Sequence, residues 1–543
     1  MNLRRKRMML MDGQWYGYLR TASGNPLTLQ NAKRLRKLTI YGNAVQDGTP
    51  SPDAPVEVQL CGDRTGNLLS IIDANPNTIP VKSYSNGIIE VIGEASLSGG
   101  RTNRLSDYIT LETNQTYTMV SYLVAGQTDS NLYVCLSRRE GGTIYEGIEM
   151  SAEKRFITIA PDENVELYLG INVTQGNRNS TLRVAIYKGS YTADTLPAYE
   201  PYGYKVSGRV DGLNLLDVSG EVSTFEAGAT WTINNDGSIT VSGTPTDYSS
   251  VSFPRIKAKP NTIYTLSTNI EIPNVVGVII FYDADNTMIA ASTGTNSSSM
   301  FQAVSPEGTT SVAASFKRNI NNVAIPETTF YPMLVQGAYT AETMPPYEPY
   351  QPPQDFAVYL PEQIAKVGDV ADEVVVDMER KTAELRKNVG SVVVSDRLAS
   401  SATGSKGDDI ALFYKLFPDR FIANSETVSV MSDKLVGLSL SDYKNSSSKD
   451  MLSLAGNNTT TAVFMKLSKT DIGGDTAESA NTWIADNRIT VYYVLATPVT
   501  TDITSLQQWD AMPQVSGTVT LTLSAEVDPS GAEAVYYSKE RGE

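Results

Sequence analysis

The segment GSYTADTLPAYEPYGY, starting at Gly189, returns as GAYTAETMPPYEPYQP at Gly337. Gly189, Tyr191, Pro197, Tyr199, Pro201 and Tyr202 map onto Gly337, Tyr339, Pro345, Tyr347, Pro349 and Tyr350, each 148 residues later. Upstream, NLLS at Asn67 answers NLLD at Asn214, and SNGIIEVIGEAS at Ser85 answers NDGSITVSGTPT at Asn235. TNQTYTMVSYL at Thr113 answers PNTIYTLSTNI at Pro260, and all these offsets stay within 147–150. Matches in one order at one spacing are the mark of duplication. Residues 66–205 and 206–352 are therefore read as two copies of one module, and any pattern in one copy has to serve twice.

That pattern is short strands. GIIEVIG and GSITVSG alternate polar and apolar at period two behind the turn signals Asn86-Gly87 and Asp236-Gly237. TYTMVSYLV and IYTLSTNIEI alternate likewise, and VVGVIIFYDADNTMIA reads as strand, turn, strand with Asp283–Asn286 at the turn. Helical periodicity is almost absent from both copies. The predicted fold is all-β: tandem antiparallel β-sandwiches of jelly-roll, carbohydrate-binding-module-like form, in which each sheet buries one face. Residues 353–543 are predicted as a β-rich C-terminal domain with short helices. GSVVVSD, TTAVFMKLS, RITVYYVLATP and GTVTLTLSAEV are its clearer strands, DTAESANTWIADN its short helix and TSLQQWDAM a candidate second helix; Val374–Lys387 is ambiguous between strand and helix.

The first 65 residues are set apart by charge. Residues 1–40 hold nine basic residues against the single acid Asp12, in a chain whose formal net charge is −16. A basic segment ahead of acidic modules predicts an anchor docking on an acidic protein surface, with Arg4, Arg5, Lys6, Arg7, Trp15 and Tyr16 as its contact residues. Residues 38–60 read as strand, Pro/Gly turn, strand. The overall acidity argues against nucleic-acid binding. No apolar run is long enough for a membrane-spanning helix, and the stretch Met8–Met11 is too short for a signal peptide, so neither membrane insertion nor Sec export is expected.

The chain has no histidine. This removes Ser-His-Asp and Cys-His catalysis and His-ligated zinc. Cys61 and Cys135 fall in different units, too few for a disulfide framework or a cysteine metal site. There is no P-loop, GxSxG elbow or CxxC motif, and no local signal singles out one carboxylate pair among 60 acids. The expectation is a non-enzyme without cofactors. Asp283 and Asp285 resemble the start of a calcium loop but lack its glycine and terminal glutamate, so a plain hairpin turn is expected and Ca2+ is the lesser alternative.

Tyr-Glu-Pro-Tyr, at Tyr199–Tyr202 and Tyr347–Tyr350, is present in both copies and is read as a closing segment of the scaffold. Features that differ between copies are better binding candidates. These are the aromatics Tyr122, Tyr133, Tyr145, Trp231, Tyr248 and Tyr282, whose rings could meet sugar faces while Asn, Thr and Ser in the loops meet hydroxyls.

IYGNAVQDGTPSPDAPVEVQLCGDRTGNLL, the two module ends, LPEQIAKVGDVADE and VYYVLATPVTTDI together resemble minor structural proteins of tailed bacteriophages and prophages of Gram-positive gut bacteria. The resemblance touches all four regions. It departs at VVVDMERKTAEL, where the family often carries a Trp-containing strand. It implies a virion component of the tail tip, baseplate or tail fibre, with carbohydrate-binding-module-like sandwiches that engage the host surface and no catalytic residues to carry over. The reading is a receptor-binding structural protein located in the virion. Its expected partners are itself as a homotrimer, other phage tail or baseplate proteins, and host cell-surface glycan. A purely architectural subunit without receptor contact explains repeats and charge equally well, a polysaccharide depolymerase is a third reading, and a bacterial adhesin is a fourth, against which the expected lack of a signal peptide and sorting tail counts.

Overall fold

The computed structural model describes residues 7–11, 14–21, 27–74, 81–95, 100–101, 104–127, 129–173, 176–296, 298–394, 400–405, 410–417, 430–456, 461–524 and 532–538. Arg4, Arg5 and Lys6 lie outside them. The chain is almost entirely antiparallel β-structure, the predicted fold class. Among the described residues, no helix is long and apolar enough to cross a membrane.

A twelve-stranded sheet is the centre of the molecule. Its longest strand, Leu27–Tyr41, forms because Leu27 with Leu29 and Leu38 with Ile40 recur at period two, and all four are buried. This strand pairs with Glu373–Asp377, Gly517–Ser524 and Ala532–Ser538. Gln14–Thr21 pairs with Ala532–Ser538 and with Arg7–Met11. The described strands between Arg7 and Arg64 and much of 353–543 therefore belong to one sheet, over a core that unites Leu29, Ile40, Val206, Val358, Val376, Leu385, Leu521 and Ala534. This differs from the separate anchor read in the sequence. Charge contrast marked a boundary that sheet pairing erases: Arg34 and Arg36 both pair with Glu379, at 2.7 and 3.0 Å.

Three inserts leave this sheet and return to it between neighbouring strands. The first, residues 65–203, begins after Arg64 and ends before Tyr204, which face each other in the ladder. The second, 213–353, lies between Tyr204–Gly212 and Gln354–Leu360, which pair along their length. The third, 395–488, lies between Val394 and Ile489, again cross-strand partners, and lends the short strand Met431–Ser432 back to the sheet beside Ile489–Asp502. The second module thus begins after the strand Tyr204–Gly212, and the C-terminal region divides between the central sheet and an insert whose Leu452, Val463, Met465, Ala480 and Ile484 share one core with Val394, Ile489, Val491 and Tyr493 of the sheet. Adjacent ends are what tolerated domain insertion requires.

The first two inserts are sandwiches. In the first, the sheet Ile109–Leu111, Val165–Val173, Asp129–Arg138, Ile144–Met150 opposes the sheet Lys154–Ile159, Tyr117–Ala125, Gly176–Lys188, Ile88–Ala95, Val81–Ser83. Both feed a core containing Val91, Met119, Val134, Leu169 and Ile186. The second keeps the plan, with a core around Trp231, Leu266, Ile279, Phe316 and Leu334. One break, among the described residues, is local. Where the first copy has the continuous strand Gly176–Lys188, the second has Ile325–Phe330 and Met333–Gln336 separated by Tyr331-Pro332, because proline lacks the N–H that a ladder needs.

The same polar staple closes both copies. Buried Asn67 accepts from the Leu69 and Ile186 amides and donates to the Glu200 carbonyl. Buried Asn214 accepts from Leu216 and Leu334 and donates to Pro332 and Glu348. The Thr118 hydroxyl donates to Gly189 as Thr265 does to Gly337, and Tyr117 and Tyr264 accept from Glu112 and Lys259. The two glycines sit at φ 118° and 124°, where a side chain would be strained.

Val374–Lys387, ambiguous in the sequence, is a β-hairpin of Glu373–Asp377 and Thr382–Val394. The Asp377 carboxylate accepts from the Glu379 and Arg380 amides and shapes the turn. Burial of Ala383 and Leu385 on one face overrides the helical preference of the TAELRK run. Ala477–Asn487 is helical, capped by Thr476, whereas TSLQQWDAM forms two short 3-10 turns. Cys61 and Cys135 are both buried and unbridged, and burial pushes the Cys61 thiol up to about 12.

Asn214→Ala strands the buried Leu216 and Leu334 amides, the buried Pro332 carbonyl and the part-buried Glu348 carbonyl. At ~1–3 kcal/mol per buried polar group left unsatisfied, the second insert loses about 3 kcal/mol or more. Calorimetry resolving the inserts will show its transition lowered while the first insert's stays; Asn67→Ala does the reverse. An unmoved transition in both variants contradicts the staple.

Candidate functional site

The six aromatics singled out in the sequence are held by different neighbours. Tyr133 lies over Gly147, where an added Cβ would come within 2.5 Å of its ring. Tyr145 is half-buried against the first core with the Arg138 guanidinium 4.9 Å from its centroid. Tyr282 carries Arg255 at 3.7 Å. Tyr122 donates to the Pro197 carbonyl at 3.3 Å and meets Tyr199 edge-on at 5.7 Å. Burial raises the Tyr122 phenol above its ordinary pKa.

Trp231 corrects the expectation of a surface ring. It is 4% exposed, and its indole N–H donates to the Ser249 hydroxyl at 2.8 Å. Alternation in Ala229–Ile233 directs it inward with Ala229. Tyr248 is the exposed one, at 45%, beside Phe225 at 55%, with ring centroids 5.9 Å apart. Sequence reading missed Phe225, which stands on the partner strand of Ser250–Ser252.

Arg7, Trp15 and Tyr16 sit on strands of the central sheet, Trp15 opposite Leu10 on one side and Ser538 on the other. Asp283 Oδ1 accepts from the Asp285 and Thr287 amides at 3.0 and 2.8 Å, the geometry of a hairpin turn. Among the described residues no group of three or more acids or cysteines could hold a metal ion.

A groove of about 560 Å³ opens in the second sandwich. One wall is the end of the strand Ile263–Ser267 with Thr268 and Asn269, the second is Ser298–Met300, and the third is the closing segment Met344–Tyr347. Tyr331 and Met333, on either side of Pro332, line it as well. Asn269 Oδ1 accepts from the Tyr331 amide at 2.7 Å, which ties the first wall to Tyr331. The Tyr331 and Tyr347 rings lie 4.8 Å apart at 50°. The Tyr331 hydroxyl donates to Asp236 at 2.8 Å. Hydrogen bonds from Ser238, with that of Tyr331, hold the Asp236 carboxyl below the ordinary range, and the bond to Asp236 raises the Tyr331 phenol. The Tyr347 hydroxyl is buried without a hydrogen-bond partner among the described residues, over Gly237, where a Cβ would come within 2.4 Å. The arrangement offers apolar ring and proline faces beside a row of hydroxyl and amide groups. It holds no pair of groups suited to bond breaking, since Glu271 is its single ionisable acid. A wider groove of about 670 Å³ lies at the root of the first insert, beside Asp63, Arg64 and Tyr204. The Arg64 cation there is stacked on Tyr202 and Tyr204, at 4.3 and 5.1 Å.

No family model and no curated protein matches the chain. Among solved structures, it is similar to accessory secretory protein 1, 2 and 3 of Streptococcus pneumoniae, at 16% identity and TM-score 0.18, over 23% of this chain and 97% of that one. It is similar to a fucolectin from striped bass (Morone saxatilis) serum, at 12% identity and TM-score 0.14, over 58% and 99%. The VP2 subviral particle of infectious bursal disease virus matches at 7% identity and TM-score 0.15, over 97% and 82%. Likeness at these scores carries no argument about function.

Trp231→Ala will cost the second insert about 3–5 kcal/mol, the range for emptying a large core site. Phe225→Ser and Tyr248→Ser, on the surface, will each stay within about 0.5 kcal/mol. Denaturant titration followed by far-UV circular dichroism distinguishes them; equal losses would refute this assignment of core and surface. Because the Asp283 carboxylate is engaged by backbone amides, millimolar Ca2+ or chelator will leave the melting temperature unchanged, and a calcium-dependent rise would contradict the turn.

Proposed function

We propose that this chain is a structural protein of a tailed-phage virion, placed at the tail tip, baseplate or fibre, and that it binds host cell-surface carbohydrate through its sandwich inserts. The observation that carries the reading is the mounting of duplicated sandwiches on one sheet, one of them bearing an open groove lined by aromatic faces and hydroxyls. Such grooves bind single sugars weakly, so function requires several copies acting together. A homotrimer supplies them. The role is binding and placement, without catalysis.

The basic N-terminal region would meet the other tail or baseplate proteins. The strand Arg7–Met11 supports this, because it ends one side of the central sheet and, among the described residues, pairs only with Gln14–Thr21. An open strand edge is a template for pairing with another chain. The same edge favours the second reading, an architectural subunit without receptor contact.

Fluorescently labelled full-length protein will adsorb to Gram-positive gut bacteria, and stripping surface polysaccharide from the cells will abolish the adsorption. Sedimentation will give a trimer. Absence of adsorption to every strain tested, with the trimer intact, would leave the architectural reading in its place.

A further inference from the structure

The two copies differ at the groove, and the difference lies in a few aligned residues. The conserved pairs Tyr117/Tyr264 and Thr118/Thr265 fix the alignment, so Val120 corresponds to Ser267 and Tyr122 to Asn269. In the first copy Val120 stands between Phe156 and Ala185 on the flanking strands. In the second, Ser267 stands between Met300 and Met333. Tyr122 spans the first copy's gap. Its ring meets Tyr199, its hydroxyl reaches the Pro197 carbonyl, and it joins a satellite cluster with Val120, Leu196 and Phe156. Asn269 is too short to cross. It folds back to the Tyr331 amide instead and leaves the space open. Leu196 is buried accordingly, while its counterpart Met344 is only half-buried.

We propose that the second sandwich carries the ligand site, that its ligand is a neutral sugar ring, and that Tyr122 fills the equivalent site in the first copy. This rests on the carbohydrate-binding reading above. The lining selects the ligand class. A pyranose has an apolar C–H face and a hydroxyl edge, matching Tyr331, Tyr347 and Pro345 on one side and Asn269, Ser298 and Ser299 on the other, where the Ser298 hydroxyl donates to the Met300 carbonyl and so offers a sugar its acceptor lone pair. Among the described residues, no lysine or arginine lines the groove and Glu271 is its one charge, so a phosphate or uronate finds no counter-charge there and meets repulsion. The volume falls within the ~300–1,000 Å³ of ligand clefts.

The test is saturation-transfer NMR on the full chain with the methyl glycosides of glucose, galactose, mannose, rhamnose and N-acetylglucosamine, and with galacturonate as the anionic probe. The wild type will transfer saturation to at least one neutral glycoside and not to galacturonate. Asn269→Tyr, which copies the first module's plug, will lower affinity about tenfold or more, whereas Tyr122→Asn will keep the signal. Should Asn269→Tyr unfold, Ser299→Cys keeps the question answerable. Cys61 and Cys135 are buried, so a bulky maleimide attaches at position 299, and binding will fall on alkylation relative to the same protein before it. If a neutral glycoside binds and neither the plug nor alkylation weakens it, or if Tyr122→Asn alone abolishes it, the site assignment is overturned and carbohydrate binding stands. No transfer to any neutral glycoside overturns the inference even where the chain adsorbs to cells, and that adsorption would leave the broader reading intact.

Discussion

The ladder between Leu27–Tyr41 and Ala532–Ser538 joins the two ends of the chain, and the rest of the molecule hangs on it. Every strand of the central sheet comes from a segment separated from its neighbours by a loop, a hairpin or an entire domain. Closing so long a loop adds little entropy beyond closing a medium one, since the term grows only with the logarithm of length. The cost falls on speed, because non-local strand pairing is slow. The inserts lighten it. The two sandwiches each have their own core and can form from local contacts, bringing the flanking strands side by side before the central sheet is complete, whereas the third insert's core is completed by Val394, Ile489 and Val491 of the sheet itself.

What the sequence disclosed follows from where the information resides. Duplication was legible because the residues that repeat are those that build the staple and the turns: Asn67 and Asn214, Thr118 and Thr265, Gly189 and Gly337. Strand alternation was legible because each sandwich sheet has one buried face. Insertion was not. The pairing of Val394 with Ile489 depends on surfaces brought together by folding, and no local pattern announces it. The basic N-terminal stretch misled for a related reason, since charge density says nothing of the alternate leucines that commit the same residues to a sheet.

The groove shows the same limit from another side. Tyr122 and Asn269 occupy aligned positions, so the difference between the copies stood in the sequence from the start. Its sense is the opposite of the one aromatic content suggests. The tyrosine occupies the space and the shorter amide leaves it free. Trp231 makes a parallel point: a ring large enough to stack on a ligand is also large enough to fill a core, and only its neighbours on both sheets decide which.

The adjacency of each insert's two ends has an evolutionary consequence. Arg64 faces Tyr204, and Val210 faces Gln354, across one ladder step. Any folded cassette whose termini emerge about 5 Å apart, a single strand spacing, can be exchanged there by recombination without disturbing the register of the supporting sheet. An insert can thus be replaced while the sheet that carries it stays unaltered, and change in the one is uncoupled from change in the other.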